Sequence, residues 1–129
     1  MTTLANASAF LNEMLKRINW VGFYLLRGDA LVLGPFQGKP ACTRIVIGKG
    51  VCGTAVAQNC TQRVEDVHNF PGHIACDSAS NSELVVLLRG KNGEPIGVLD
   101  IDSPSIGRFT EEDQRQMERA AEIISGKIR

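Results

Sequence analysis

Along the chain the spacing of apolar residues changes several times, and each change marks an element. Over residues 4–18, Leu4, Ala7, Leu11, Met14, Leu15 and Ile18 fall at helical spacing, which predicts an amphipathic helix. Residues 19–26 are rich in aromatic and β-branched side chains and read as a strand. Gly28-Asp29 makes a turn, and residues 30–33 return as a second strand. Gly34, Pro35, Gly38 and Pro40 crowd residues 34–41, which predicts an irregular loop. Residues 43–47 alternate as a strand, Gly48-Lys49-Gly50 breaks it, and residues 51–58 read as a short helix. A brief strand covers 61–64, and residues 66–82 keep no period, a loop long enough to suggest function. Thr110 caps a last helix whose first turn, Glu111-Glu112-Asp113, suits the helix dipole. Its buried stripe is Met117, Ala120, Ala121, Ile124 and Ile128. Strands in the middle and helices at both ends predict a single antiparallel α+β domain over residues 1–129.

Residues 83–88 and 95–101 form a hairpin around Lys91-Asn92-Gly93. With Asn92-Gly93 at the centre of the turn, Glu83 faces Asp102; with Lys91-Asn92 at the centre, it faces Asp100. Side chains alternate with period two, so either register puts Glu83, Asp100 and Asp102 on one face of the sheet. Such a face is either hydrated, with three separate charges, or a functional cluster in which repulsion raises at least one pKa toward neutrality. Asp100, set between Leu99 and Ile101, favours the cluster.

Charge narrows the range of partners. Fourteen basic and 14 acidic side chains balance, which speaks against a nucleic-acid surface. No apolar run reaches membrane-spanning length and the N-terminus does not read as a signal peptide, so a cytoplasmic location is expected. Four cysteines in such a setting suggest redox chemistry or metal binding. No Cys-x2-Cys pair occurs, so no metal site is expected. Cys42, Cys52 and Cys76 sit in or beside glycine- or turn-rich loops, a setting in which a sulfenic acid can condense with a second thiol. Cys60 lacks that context. His73, three residues before Cys76, could lower its pKa or serve only local packing.

Five segments carry a resemblance: Asn19-Trp20-Val21-Gly22-Phe23-Tyr24, Leu33-Gly34-Pro35-Phe36-Gln37-Gly38-Lys39-Pro40-Ala41-Cys42, Gly48-Lys49-Gly50-Val51-Cys52-Gly53-Thr54-Ala55, Gly72-His73-Ile74-Ala75-Cys76-Asp77 and Gly97-Val98-Leu99-Asp100-Ile101-Asp102. In this order they closely resemble the free methionine-(R)-sulfoxide reductases, which are GAF-type domains. The resemblance implies a central antiparallel sheet with helices on one face and ligand-capping loops on the other. It implies Cys76 as the catalytic thiol, Cys42 and Cys52 as resolving thiols, and Glu83, Asp100 and Asp102 as acidic cavity residues. Trp20 and Tyr24 would enclose the methionine. It further implies free methionine (R)-sulfoxide as substrate, no bound cofactor, NADPH-coupled thioredoxin as external reductant, and a homodimer. The family usually carries another helical stretch before the point where this sequence starts, so a shortened N-terminus is expected. Leu87 stands where relatives often have proline, a change a strand should tolerate. The alternative reading is a GAF-like sensor that binds a small molecule without turnover.

Overall fold

The computed structural model describes residues 1–73 and 79–129. Among them, six strands form one sheet, β1 (Trp20–Arg27), β2 (Ala30–Gly38), β3 (Arg44–Val46), β4 (Gln62–Val64), β5 (Ser82–Arg89) and β6 (Pro95–Ser103), in the order β3-β2-β1-β6-β5-β4. Every neighbouring pair is antiparallel. Three α-helices accompany the sheet: α1 (Thr2–Met14), α2 (Gly50–Gln58) and α3 (Glu111–Ile128).

Strand alternation divides the core in two. Val21, Phe23, Leu84, Val86, Leu88, Leu99 and Ile101 point to one face and pack against Leu4 and Leu11 of α1 and Met117, Ala121 and Ile124 of α3. Trp20, Tyr24, Val85, Leu87 and Val98 point to the other face, toward Val51, Cys52 and Ala55 of α2. The two terminal helices share one face, as expected, while α2 joins the loops on the opposite one.

Helix α3 begins as its sequence indicated. The Thr110 hydroxyl accepts from the Asp113 amide and the Asp113 carboxylate accepts from the Thr110 amide, forming a capping box. Helix α1 ends earlier than its periodicity implied. Leu15 is already extended and Arg17 has φ 58°, so Met14 stays exposed while Leu15 and Ile18 reach the core from the connecting segment.

Residues 34–41 are not the irregular loop that their glycines and prolines suggest, because β2 runs on to Gly38. Two features reconcile the sequence with a strand. A bulge lies where the register passes from Tyr24↔Leu33 to Gly22↔Phe36, so Gly34 and Pro35 sit at the irregularity. Strand β3 pairs only with Ala30–Val32, leaving Pro35 on an open edge where no amide donor is required.

The β5–β6 hairpin combines the two registers considered above. The Gly93 amide donates to the Gly90 carbonyl at 3.0 Å, so Lys91-Asn92 are the central turn residues, and Gly93 follows at φ +81°. An irregularity between Leu88 and Arg89 then shifts the pairing, and Glu83 lies opposite Asp102. Leu87 pairs with Val98 as an ordinary strand residue.

Candidate active site

Strands β1, β5 and β6 lie side by side and turn a common row of side chains toward α2. Trp20 pairs with Asp102, Gly22 with Asp100 and Tyr24 with Val98 on one side of β6. Glu83 and Val85 pair with Asp102 and Asp100 on the other. The three carboxylates therefore share the face that parity predicted, and the pairing of β1 with β6 adds both aromatics to it. They line a cleft of about 530 Å³, its open mouth included, completed by Pro40, Ala41, Ile45, Gly50, Val51, Cys52, His73 and Ser80.

Glu83 and Asp100 are 8% and 6% exposed. Burial, and then the Asp100 and Asp102 carboxylates beside it, push the Glu83 carboxyl well above its usual range. Burial also raises Asp100, against hydrogen bonds from Glu83, Cys52 and Asp102 that hold it down. Asp100 Oδ1 is buried with no hydrogen-bond partner among the described residues. Among the described residues no lysine or arginine lines the cleft. Among the described residues the cleft is thus acidic with no lysine or arginine counter-charge, able to hold a proton and to attract a cation.

Gly22 gives the aromatic wall its shape. Trp20 stacks on Phe36 at 5.2 Å and on Tyr24 at 6.0 Å between ring centroids. A Cβ at Gly22 would collide with Phe36 Cβ and lie 2.8 Å from the Trp20 ring. Gly22→Ala should therefore displace the indole and cost about 1–3 kcal/mol through overpacking. Trp20 is the sole tryptophan, so its fluorescence spectrum, with urea unfolding, checks both effects directly.

The polar tips of the aromatics hold a loop over the sheet. Trp20 Nε1 donates to the Lys39 carbonyl at 3.1 Å, and the Tyr24 hydroxyl donates to the Cys42 carbonyl at 2.8 Å. Burial raises the Tyr24 pKa, with Asp100, Cys52 and the other acids adding to it, so Tyr24 stays a donor. The segment carrying Cys42 is thereby fixed beside the cleft.

The cysteines separate by environment. Cys42 is disulfide-bonded, whereas Cys52 and Cys60 are free, the former buried and the latter exposed. Cys52 lies in the first turn of α2, beside the glycine-rich break, within the short helix expected from sequence. Gly48 and Gly50 carry the positive φ angles, 92° and 61°, and α2 has already begun at Gly50. The Cys52 thiol donates to Glu83 Oε2 across 4.0 Å. Burial raises its pKa, with Asp100, Glu83 and Asp102 adding to the effect, and overrides any lowering from the helix N-terminus. His73 lines the cleft, but burial lowers its pKa, with His68 adding to the effect, so it is a poor source of positive charge. Cys76 lies outside the described residues.

Phe36, Ile45 and Ser80 were not among the residues singled out from sequence. Phe36 stands in one of the quoted family segments, but reading residues 34–41 as a loop hid its pairing with Gly22 across the bulge. Ser80 and Ile45 reach the cleft through tertiary packing.

A curled antiparallel sheet that encloses a small cleft under α2 and its loops is the architecture of a GAF domain, and the GAF domain family profile matches residues 6–128. Over 115 residues the chain is 67% identical to the free methionine-R-sulfoxide reductase of Escherichia coli, spanning 89% of this chain and 69% of that protein. The fRMsr of Staphylococcus aureus in complex with substrate is 54% identical with a TM-score of 0.92, over 98% of this chain and 82% of that one. The free methionine-R-sulfoxide reductase of Neisseria meningitidis in complex with its substrate is 48% identical with a TM-score of 0.92, over 96% and 74%. The chain belongs to the free methionine-R-sulfoxide reductases, a family of GAF domains.

Proposed function

We propose that the chain reduces free methionine (R)-sulfoxide to methionine, with Cys76 as nucleophile. The observation that carries this reading is the cleft itself. Three carboxylates face an aromatic wall, and among the described residues no lysine or arginine lines the space between them. A free amino acid brings an ammonium group that such a pocket accepts, and Trp20 adds an apolar surface and a cation–π face.

A sulfoxide sulfur becomes electrophilic when its oxygen gains a proton. The Cys76 thiolate attacks that sulfur while a protonated carboxyl of the Glu83–Asp100–Asp102 cluster protonates the oxygen. The attack forms a bond between Cys76 Sγ and the substrate sulfur while the protonated oxygen leaves that sulfur as water. Water then attacks Cys76 Sγ, the S–S bond breaks, methionine leaves, and Cys76 becomes a sulfenic acid. The substrate sulfur gains the electron pair that Cys76 loses. The Cys42 thiol then displaces water from the sulfenic acid, and an external dithiol, for which thioredoxin is the natural class, reduces the resulting disulfide.

Two features support Cys42 over Cys52 as the resolving thiol. Cys42 is disulfide-bonded, and Cys52 is a buried, protonated donor to Glu83. Exposed Phe10 and Met14 on α1, each 60% accessible, support self-association as a homodimer. The cysteine chemistry supports a reducing, cytoplasmic setting. Among the described residues no helix is long and apolar enough to cross a membrane.

A thioredoxin-coupled assay of NADPH consumption with free methionine (R)-sulfoxide tests the function. Turnover with the free amino acid, lost in Cys76→Ser, is expected. Stabilisation by the sulfoxide without any turnover would instead mark a binding module.

A further inference from the structure

We propose that the reduced cleft is also a transition-metal site, in which Cys52, Glu83 and Asp100 together hold one zinc ion. No sequence spacing suggests it, because the donors come from α2, β5 and β6 and meet only in the fold. One ligand atom from each lies within 4.8 Å of the others, and Cys52 Sγ is 4.0 Å from Glu83 Oε2. Donors around a tetrahedral zinc lie about 3.5 Å apart, given Zn–S and Zn–O bonds of about 2.3 and 2.0–2.2 Å. Small side-chain rotations close the difference.

A second observation points to a cation. Asp100 is 6% exposed and lines the cleft, and its Oδ1 is buried without a hydrogen-bond partner among the described residues. A buried carboxylate oxygen left without a donor is costly, and a metal ion would satisfy it. No lysine or arginine among the lining residues competes for that place. The donor set selects the metal. A thiolate with two carboxylates suits zinc, whereas calcium and magnesium prefer six or more oxygens. Three protein ligands leave one position for water.

Zinc would occupy the carboxylates that the amino-acid substrate needs, so the two should compete. That consequence rests on the proposed reductase reading; the binding itself does not. Replacing Cys42, Cys60 and Cys76 with serine leaves Cys52 as the sole thiol. Titration of this protein with Co²⁺ is expected to give one equivalent of binding with thiolate-to-cobalt charge transfer and the intense visible bands of a tetrahedral site, reversed by one equivalent of Zn²⁺. Adding Cys52→Ser should abolish the charge transfer, and adding Asp100→Asn should weaken zinc by at least about tenfold. Should the three serines impair folding, the reduced native chain is titrated instead, with Asp100→Asn and Glu83→Gln as the controls. Absence of charge transfer, or a zinc affinity indifferent to both carboxamide substitutions, overturns the site. The triple-serine protein lacks the proposed nucleophile, so failure of metal binding leaves the reductase reading intact, and failure of that reading leaves the metal test unaffected.

Discussion

Replacing Glu83 with glutamine is expected to make the protein more stable and the enzyme much slower. Glu83 is buried against Asp100 and Asp102, and both burial and the neighbouring acids raise its pKa. A carboxyl whose folded-state pKa exceeds its unfolded value, 4.5 for glutamate, binds more protons folded than unfolded. Its contribution to stability is therefore complete below that value and declines as pH rises toward the folded-state pKa. The raised Asp100 carboxyl adds to the same slope. Glutamine removes the ionisation and the repulsion, so melting curves at about pH 5 and about pH 8 should converge, with the larger gain at the higher pH. Turnover should fall by about 10²–10⁴-fold if Glu83 is the member of the cluster that protonates the sulfoxide oxygen. A site that is stabilised by losing its acid is one whose strain serves chemistry.

The cysteine variants should divide into three behaviours. Cys76→Ser should reduce activity to background, because no other thiol can take its place as attacking group. Cys42→Ser should still release one methionine per chain in a single turnover, yet fail in the thioredoxin-coupled steady state, because the sulfenic acid has no partner. Cys52→Ser should keep the thioredoxin-coupled cycle running, with its loss confined to the hydrogen bond that the thiol makes to Glu83. Stopped single-turnover assays beside steady-state rates separate the three. If Cys52→Ser and Cys42→Ser behaved alike, the assignment of resolution to Cys42 would be wrong.

Much of this site was legible before any coordinates because it rests on strand parity. Glu83, Asp100 and Asp102 fall on one face whichever hairpin register holds, since alternation depends on odd and even positions alone. Trp20 and Tyr24 came instead from the family resemblance and join that face through the pairing of β1 with β6. What escaped the sequence depended on irregularity or on distant packing. The Gly34-Pro35 pair reads as a loop, yet a bulge on an open edge lets the strand continue to Gly38 and sets Phe36 beneath Trp20. Met14, the last residue of α1, is exposed although periodicity assigned it to the core stripe. Cys52 falls in the expected short helix, but only the packing of α2 on the sheet reveals that it is buried against an acid.

The most direct test of the central claim is mass mapping of the reduced protein after one equivalent of free methionine (R)-sulfoxide. The account predicts one methionine released per chain and a disulfide joining Cys76 to Cys42, with Cys52 and Cys60 recovered as free thiols that alkylate once the protein is denatured. A disulfide joining Cys76 to Cys52, or methionine formed while Cys76 remains a free thiol, would contradict it.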